Sequence, residues 1–132
     1  MSAGRLLALD YGSARCGVAV SDPSGTLATP LAAVEHPATR KGIGRISALV
    51  REHEAERVVV GLPLTLAGQE GAQAAEARDF AARLRATLRV PVDLHDERLT
   101  TRQAERSGGR ADADSRAAAH LLEAYLADRR DH

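Results

Sequence analysis

The sequence predicts an α/β fold, a mixed sheet flanked by helices, and three observations carry that reading. Short apolar or β-branched runs at 5–10, 16–20, 57–63 and 90–98 have the length of strands and are closed by turn residues. Apolar residues at helical spacing occupy 40–54, 69–88 and the tail from Asp112 to about Arg129. Strands and helices then alternate, the order that flanks a sheet with helices.

Each element has its own local justification. RLLALD (5–10) and CGVAV (16–20) are joined by a short turn carrying Gly12 and Ser13, so they read as a leading hairpin. TLATPLAAVEH (26–36) is a third strand that Pro30 pushes toward an edge or a bulge. Ile43, Ile46, Leu49 and Val50 form the apolar stripe of a surface helix, and RVVVGLP (57–63) reads as a buried parallel strand. Ala77, Phe80, Ala81, Leu84 and Leu88 stripe a second helix, and VPVDLHDER (90–98) is the next strand. Thr100 and Gln103 have capping-box spacing for a short helix that stops at Ser107-Gly108-Gly109, before the alanine-rich tail helix.

A chain of 132 residues is expected to form one domain, 1–132, with one modest core. Composition is that of a globular protein, with 44% hydrophobic and 27% charged residues. Lys+Arg and Asp+Glu are equal at 18 each, so net charge announces no polyanionic partner and any basic surface must be local. Cys16 is the one cysteine, which excludes an internal disulfide and a cysteine-based zinc cluster. The sequence has neither a charged-then-apolar leader nor an apolar run of about 18 residues, so the expectation is a cytoplasmic protein that does not engage a membrane.

The chemistry resides in acids at apolar ends. Asp10 closes the first strand, and Glu97 lies in the charged cluster that closes the last. At about 100° per residue, with Asp114 at 0°, Ala118 falls near 40°, Leu121 near 340° and Tyr125 near 20°, so Asp114 is expected at the centre of the buried stripe. Asp112 falls near 160° on the opposite side, where N-capping of the helix is the plainer role. A single strand-end aspartate is equally well an Asx-turn or a partner of Arg15. If the two strands are neighbours and the last helix crosses their ends, three carboxylates meet, and like charges held together need a cation. Hard oxygen ligands suit Mg²⁺ or Mn²⁺, and a pair of such ions about 4 Å apart supports phosphodiester hydrolysis. Strand parity alone leaves open whether Glu97 shares a side with Asp10.

Arg98, Arg102, Arg106 and Arg110 recur every four residues beside Glu97, against one acid, Glu105, in the same segment. Phosphate contact and a solvated helix face are both compatible with that pattern. With Tyr11, Phe80 and Tyr125 as the whole aromatic set, backbone and shape recognition outrank base stacking.

DYGSARCGVAVSD, VVVGLPLTLAGQEG, DERLTT and DSRAAAHLLEAYL, in this order, closely resemble the YqgF/RuvX family, known as Holliday junction resolvases or pre-16S rRNA nucleases. The resemblance implies an RNase H-like fold, with a mixed five-stranded sheet and a leading antiparallel hairpin, and a divalent-metal nuclease site. Its acids fall on Asp10, Glu97 and Asp114, and its arginine on Arg15, which would steady a phosphate or Asp10. Gly12 and Gly17 would let backbone approach the site closely; Gly12 and Arg15, with Arg98, Arg102 and Arg106 from the basic run, are the expected nucleic-acid contacts. Two departures from the family pattern stand out: Thr65 and Ala67 replace polar residues of the loop after GLPL, and Asp112-Ala113 precedes Asp114 where the family is often basic.

The implied activity is cleavage of structured RNA in 5′-end processing of pre-16S rRNA, by a monomer or homodimer. The competing readings are resolution of branched DNA and a non-catalytic nucleic-acid-binding or ribosome-assembly factor. Junction resolution would require two symmetry-related sites. A glycine turn after a strand-end aspartate also holds ATP phosphates in the actin-like sugar kinases, but those enzymes need two domains. His95 lies near the acids and reads as a hydrogen-bonded strand histidine rather than a proton-transfer group.

Overall fold

β1 (Arg5–Asp10) is the middle strand of a five-stranded sheet. Its four consecutive buried residues, Leu6 to Leu9, need apolar cover on both sides, and a central position supplies it. β2 (Arg15–Ser21) pairs with β1 in antiparallel fashion, Asp10 opposite Gly17, and β3 (Ala28–Glu35) pairs likewise with β2. On the other flank β4 (Ala55–Leu64) runs parallel to β1, and β5 (Val92–Arg98) runs parallel to β4. The order is β3-β2-β1-β4-β5, a mixed sheet with the antiparallel hairpin leading. The structure, a computed structural model, describes residues 4–64, 69–98 and 110–130, with the backbone alone at 64, 97, 98, 110–114 and 130.

Pro30 sits in the edge strand, paired in regular register with Ala19, and the register shift between β2 and β3 falls beyond it, between Cys16 and Val18, so the edge position rather than a bulge accommodates the proline. α1 (Arg40–Glu52) starts where the Thr39 hydroxyl accepts the Gly42 amide at 3.1 Å, an N-cap that satisfies one otherwise orphaned donor. α2 (Ala72–Thr87) begins three residues later than the periodicity implied, because Glu70 is held in a bridge pairing. α3 (Arg110–Arg130) begins two residues before the expected start at Asp112. Asp112 therefore lies inside the helix, and the capping role expected of it does not hold.

Strand alternation divides the core. Leu7, Leu9, Cys16, Val18, Val58 and Val60 point to one side, where Ile43, Ile46, Phe80 and Leu84 of α1 and α2 cover them. Leu6, Ala8, Ala19 and Val59 point to the other, under Ala118, Leu121, Leu122 and Leu126 of α3. The short helix expected at 100–107, with Arg102 and Arg106, lies outside the described residues, as do Thr65 and Ala67. Among the described residues, no helix is long and apolar enough to cross a membrane.

Candidate active site

Asp10 is half-buried at the C-terminal end of the central strand. The chain beyond it is pinned on both sides. The Tyr11 ring lies 4.7 Å from that of Phe80 and packs against Leu62, Ala74 and Ala77, so the residue after Asp10 is anchored in the α2 side of the core. Burial, reinforced by Glu76, raises the Tyr11 phenol above its ordinary range, which keeps this anchor neutral. Opposite, the His36 amide donates to the Ala14 carbonyl at 2.9 Å and ties the turn to the end of β3. Gly12 has a steric reason: a Cβ there would stand 2.7 Å from the Arg15 carbonyl oxygen, so any side chain would open the turn.

The register resolves the parity of Glu97. Asp10 alternates in step with Leu6 and Ala8, which face α3. In β5, Val92 and Leu94 join the α1–α2 cluster, whereas Asp93 and His95 meet α3, and position 97 is in step with those two. The ladder runs unbroken to Arg98, with Glu97 opposite Pro63. Positions 10 and 97 thus belong to the same side and the same edge of the sheet. Arg15 also belongs there, since it alternates with Ala19 on the α3 side of β2.

Two expectations need correction. β1 and β5 are not neighbours: β4 lies between them, so the strands bearing Asp10 and Glu97 are two spacings, roughly 10 Å, apart. Nor is Asp114 at the centre of the buried stripe. The buried residues Ser115, Ala118, Leu121, Leu122 and Leu126 centre on a direction about 60° from position 114, which leaves position 114 on the flank of the stripe. Tyr125 and Asp128, both within about 40° of position 114 on the helix, contact β5. That flank is turned toward β5 rather than β3.

The start of α3 is located by Ser115, whose hydroxyl donates to the Leu31 carbonyl. Leu31 stands opposite Val18, and Val18 opposite Leu9, the residue before Asp10. The first turns of α3, including position 114, therefore lie over the edge where β1 ends. Positions 10 and 97 and the start of α3 thus all lie toward the end of the sheet where β1 ends, with α3 starting over β3 and position 97 on β5.

A polar network under α3 was not anticipated. Asp93 Oδ2 accepts from Arg57 Nη1 and from the Tyr125 hydroxyl, each at 2.7 Å, joining β4, β5 and α3. Burial opposes ionisation of Asp93, but the hydrogen bonds from Tyr125 and Arg57 outweigh it and hold its carboxyl below the usual range. Beside it, His95 Nε2 lies 3.5 Å from Asp128 Oδ2, with the His95 and Tyr125 rings edge to face at 5.6 Å, as expected for a partnered strand histidine. The sequence signal for it is the polar alternation of Asp93 and His95 through β5. Glu70 and Arg78 form a two-bond fork at 2.8 and 2.6 Å that fastens the segment before α2 to that helix.

Residues 4–128 match the family described as RuvX, Holliday junction resolvase. A protein of Mycobacterium ulcerans bearing the name "Putative pre-16S rRNA nuclease" is 46% identical over 96% of this chain and 81% of its own length. A protein of the same name from Syntrophomonas wolfei is 37% identical over 92% and 93%. Among solved structures, T. thermophilus RuvC in complex with Holliday junction substrate superposes with a TM-score of 0.55 at 16% identity, covering 96% of each chain. That likeness bears on the fold, which is the expected RNase H-like arrangement.

Proposed function

This chain belongs to the RuvX family, and from that premise we propose that it is a single-domain, divalent-metal-dependent nuclease whose substrate is the precursor of 16S ribosomal RNA. The observation that carries the proposal is that positions 10 and 97 share one side and one end of the sheet, the side across which α3 packs. Together with Asp114 from the start of α3, Asp10 and Glu97 would form a set of hard oxygen donors, which fits Mg²⁺ or Mn²⁺ and disfavours softer ions. When bound, such ions activate water and stabilise the leaving oxygen of a phosphodiester.

The chain's own residues do the rest. Asp10, Glu97 and Asp114 would hold the cations, which would relieve their mutual repulsion. Tyr11 against Phe80 keeps the Asp10 turn from shifting, which preserves the ligand geometry between turnovers. Arg15, on the same side of the neighbouring strand, steadies the phosphate, as do Arg98, Arg102 and Arg106 in our reading. The Arg57–Asp93–Tyr125 network holds α3 against β5 and so sets where position 114 stands relative to position 97.

Branched DNA is the second reading, favoured by the description of the matching family. Wild type and Asp10→Asn are compared on a precursor 16S rRNA fragment and a four-way DNA junction, with Mg²⁺ and Mn²⁺ titrated. The expected result is metal-dependent RNA cleavage that drops at least about 100-fold in Asp10→Asn, more than loss of a supporting residue costs. Wild-type cleavage by the variant overturns the site. Cleavage of the junction in preference to RNA overturns the substrate.

A further inference from the structure

On the side of the sheet away from α3, a groove of about 450 Å³ lies between α1 and α2. Arg40, Gly44, Ser47 and Arg51 of α1 and Arg83 and Thr87 of α2 line it, and no carboxylate does. At 100° per residue the four α1 positions fall within about 60° of one another, a single stripe in which Arg40 and Arg51 stand about 16 Å apart along the axis. Two of the three guanidiniums are already positioned. Arg51 Nη1 donates to the Ser47 hydroxyl at 3.0 Å, and Arg83 donates to the Ala38 carbonyl.

Gly44 adds an independent observation. Glycine inside a helix is unfavourable, and nothing lies within 4 Å of where a Cβ would stand, so packing does not require it. It lines the middle of the groove, where a small side chain meets nothing and only a long one would fill the space. One end of the groove lies at the level of the candidate site, on the opposite face of the sheet: β3 ends at Glu35 opposite Arg15, where β1 delivers Asp10, and the Arg40 end of α1 follows.

A cationic stripe of that length, with forked donors and no lining acid, suits successive phosphates better than one anion. We propose that the α1–α2 groove binds the phosphodiester backbone of the nucleic-acid substrate as it leaves the Asp10 edge. The contact is with backbone, not bases. The identity of the ligand rests on the nuclease reading, so the test uses binding, which requires no cleavage.

Fluorescently labelled precursor rRNA and a four-way DNA junction are titrated with wild type, Gly44→Ala, Gly44→Glu and Arg51→Gln over a range of salt concentrations, with circular dichroism to check folding. Gly44→Ala should bind as wild type does. Gly44→Glu, which fills the groove with an acid, should weaken binding about tenfold, and Arg51→Gln should lower the slope of log affinity against log salt by about one. Metal-dependent cleavage of a trinucleotide, too short to reach the groove, should be the same in all four proteins. Loss on RNA, on the junction or on both supports the groove and tells which backbone it holds. Wild-type affinity and salt slope in both Gly44→Glu and Arg51→Gln overturn it, as does failure of wild type to bind either probe. Should Gly44→Glu not fold, Arg51→Gln decides. Binding by wild type without cleavage defeats the nuclease reading and leaves the groove to be judged on affinity.

Discussion

On the α1–α2 side, Leu7, Leu9, Val18, Val58 and Val60 meet Ile43, Ile46, Phe80 and Leu84 in a continuous apolar layer. On the α3 side the same strands present Leu6, Ala8, Ala19 and Val59, and then turn polar toward β5 with Arg57, Asp93 and His95. The alanines give α3 a close seat, and hydrogen bonds replace apolar area where the helix passes the sheet margin. The side with less apolar burial is the one to which Asp10, Arg15 and position 97 belong. A site that needs charge is thus set on the thinner side of the core, backed through the sheet by the thicker one.

The strongest way to break this division is Phe80→Ala. Phe80 is buried in the thick layer and also holds Tyr11 next to Asp10. Its truncation should cost about 3–5 kcal/mol in urea unfolding. Cleavage should also fall at temperatures where the variant is still folded. Stability loss with unchanged cleavage would show that the Tyr11 anchor does not govern Asp10.

On the thin side the limit is space rather than apolar area. Ala8 is fully buried under α3, so Ala8→Leu should destabilise by about 1–3 kcal/mol through overpacking, although it adds apolar surface. A neutral or raised denaturation midpoint would mean that α3 has room to move away from the sheet.

The smallest effect sharpens the polar half of the comparison. Tyr125→Phe removes one donor from Asp93 and should cost about 1 kcal/mol at neutral pH. Because the folded-state value of Asp93 lies below its ordinary 3.8, the stabilisation is fully present above that value and lost as pH falls below it. The gap between wild type and Tyr125→Phe should therefore narrow at about pH 3 relative to pH 7. An equal gap at both pH values would assign the loss to packing.

Local periodicity made most elements legible. β1 matched its expected bounds, and α1 and β4 differed by two residues or fewer at each end, because the apolar stripe and the β-branched run are properties of adjacent residues. Asp10, Glu97 and Asp114 could be singled out because each interrupts or ends an apolar pattern. The angle of Asp114 is less accurate: a helical wheel built on Ala118, Leu121 and Tyr125 omits Ser115, Leu122 and Leu126, which are buried too and turn the centre of the stripe away from position 114.

The sequence by itself determined which residues alternate, which lie on a helical stripe and where acids close apolar runs, since these depend on spacing along one chain. Only the tertiary structure decided that β4 stands between the strands of Asp10 and Glu97, that both positions share the α3 side, and that Arg57, Asp93 and Tyr125 meet. Strand order and register are set by which segments bury one another best across the whole sheet. That competition among distant residues leaves no periodic trace in any one of them.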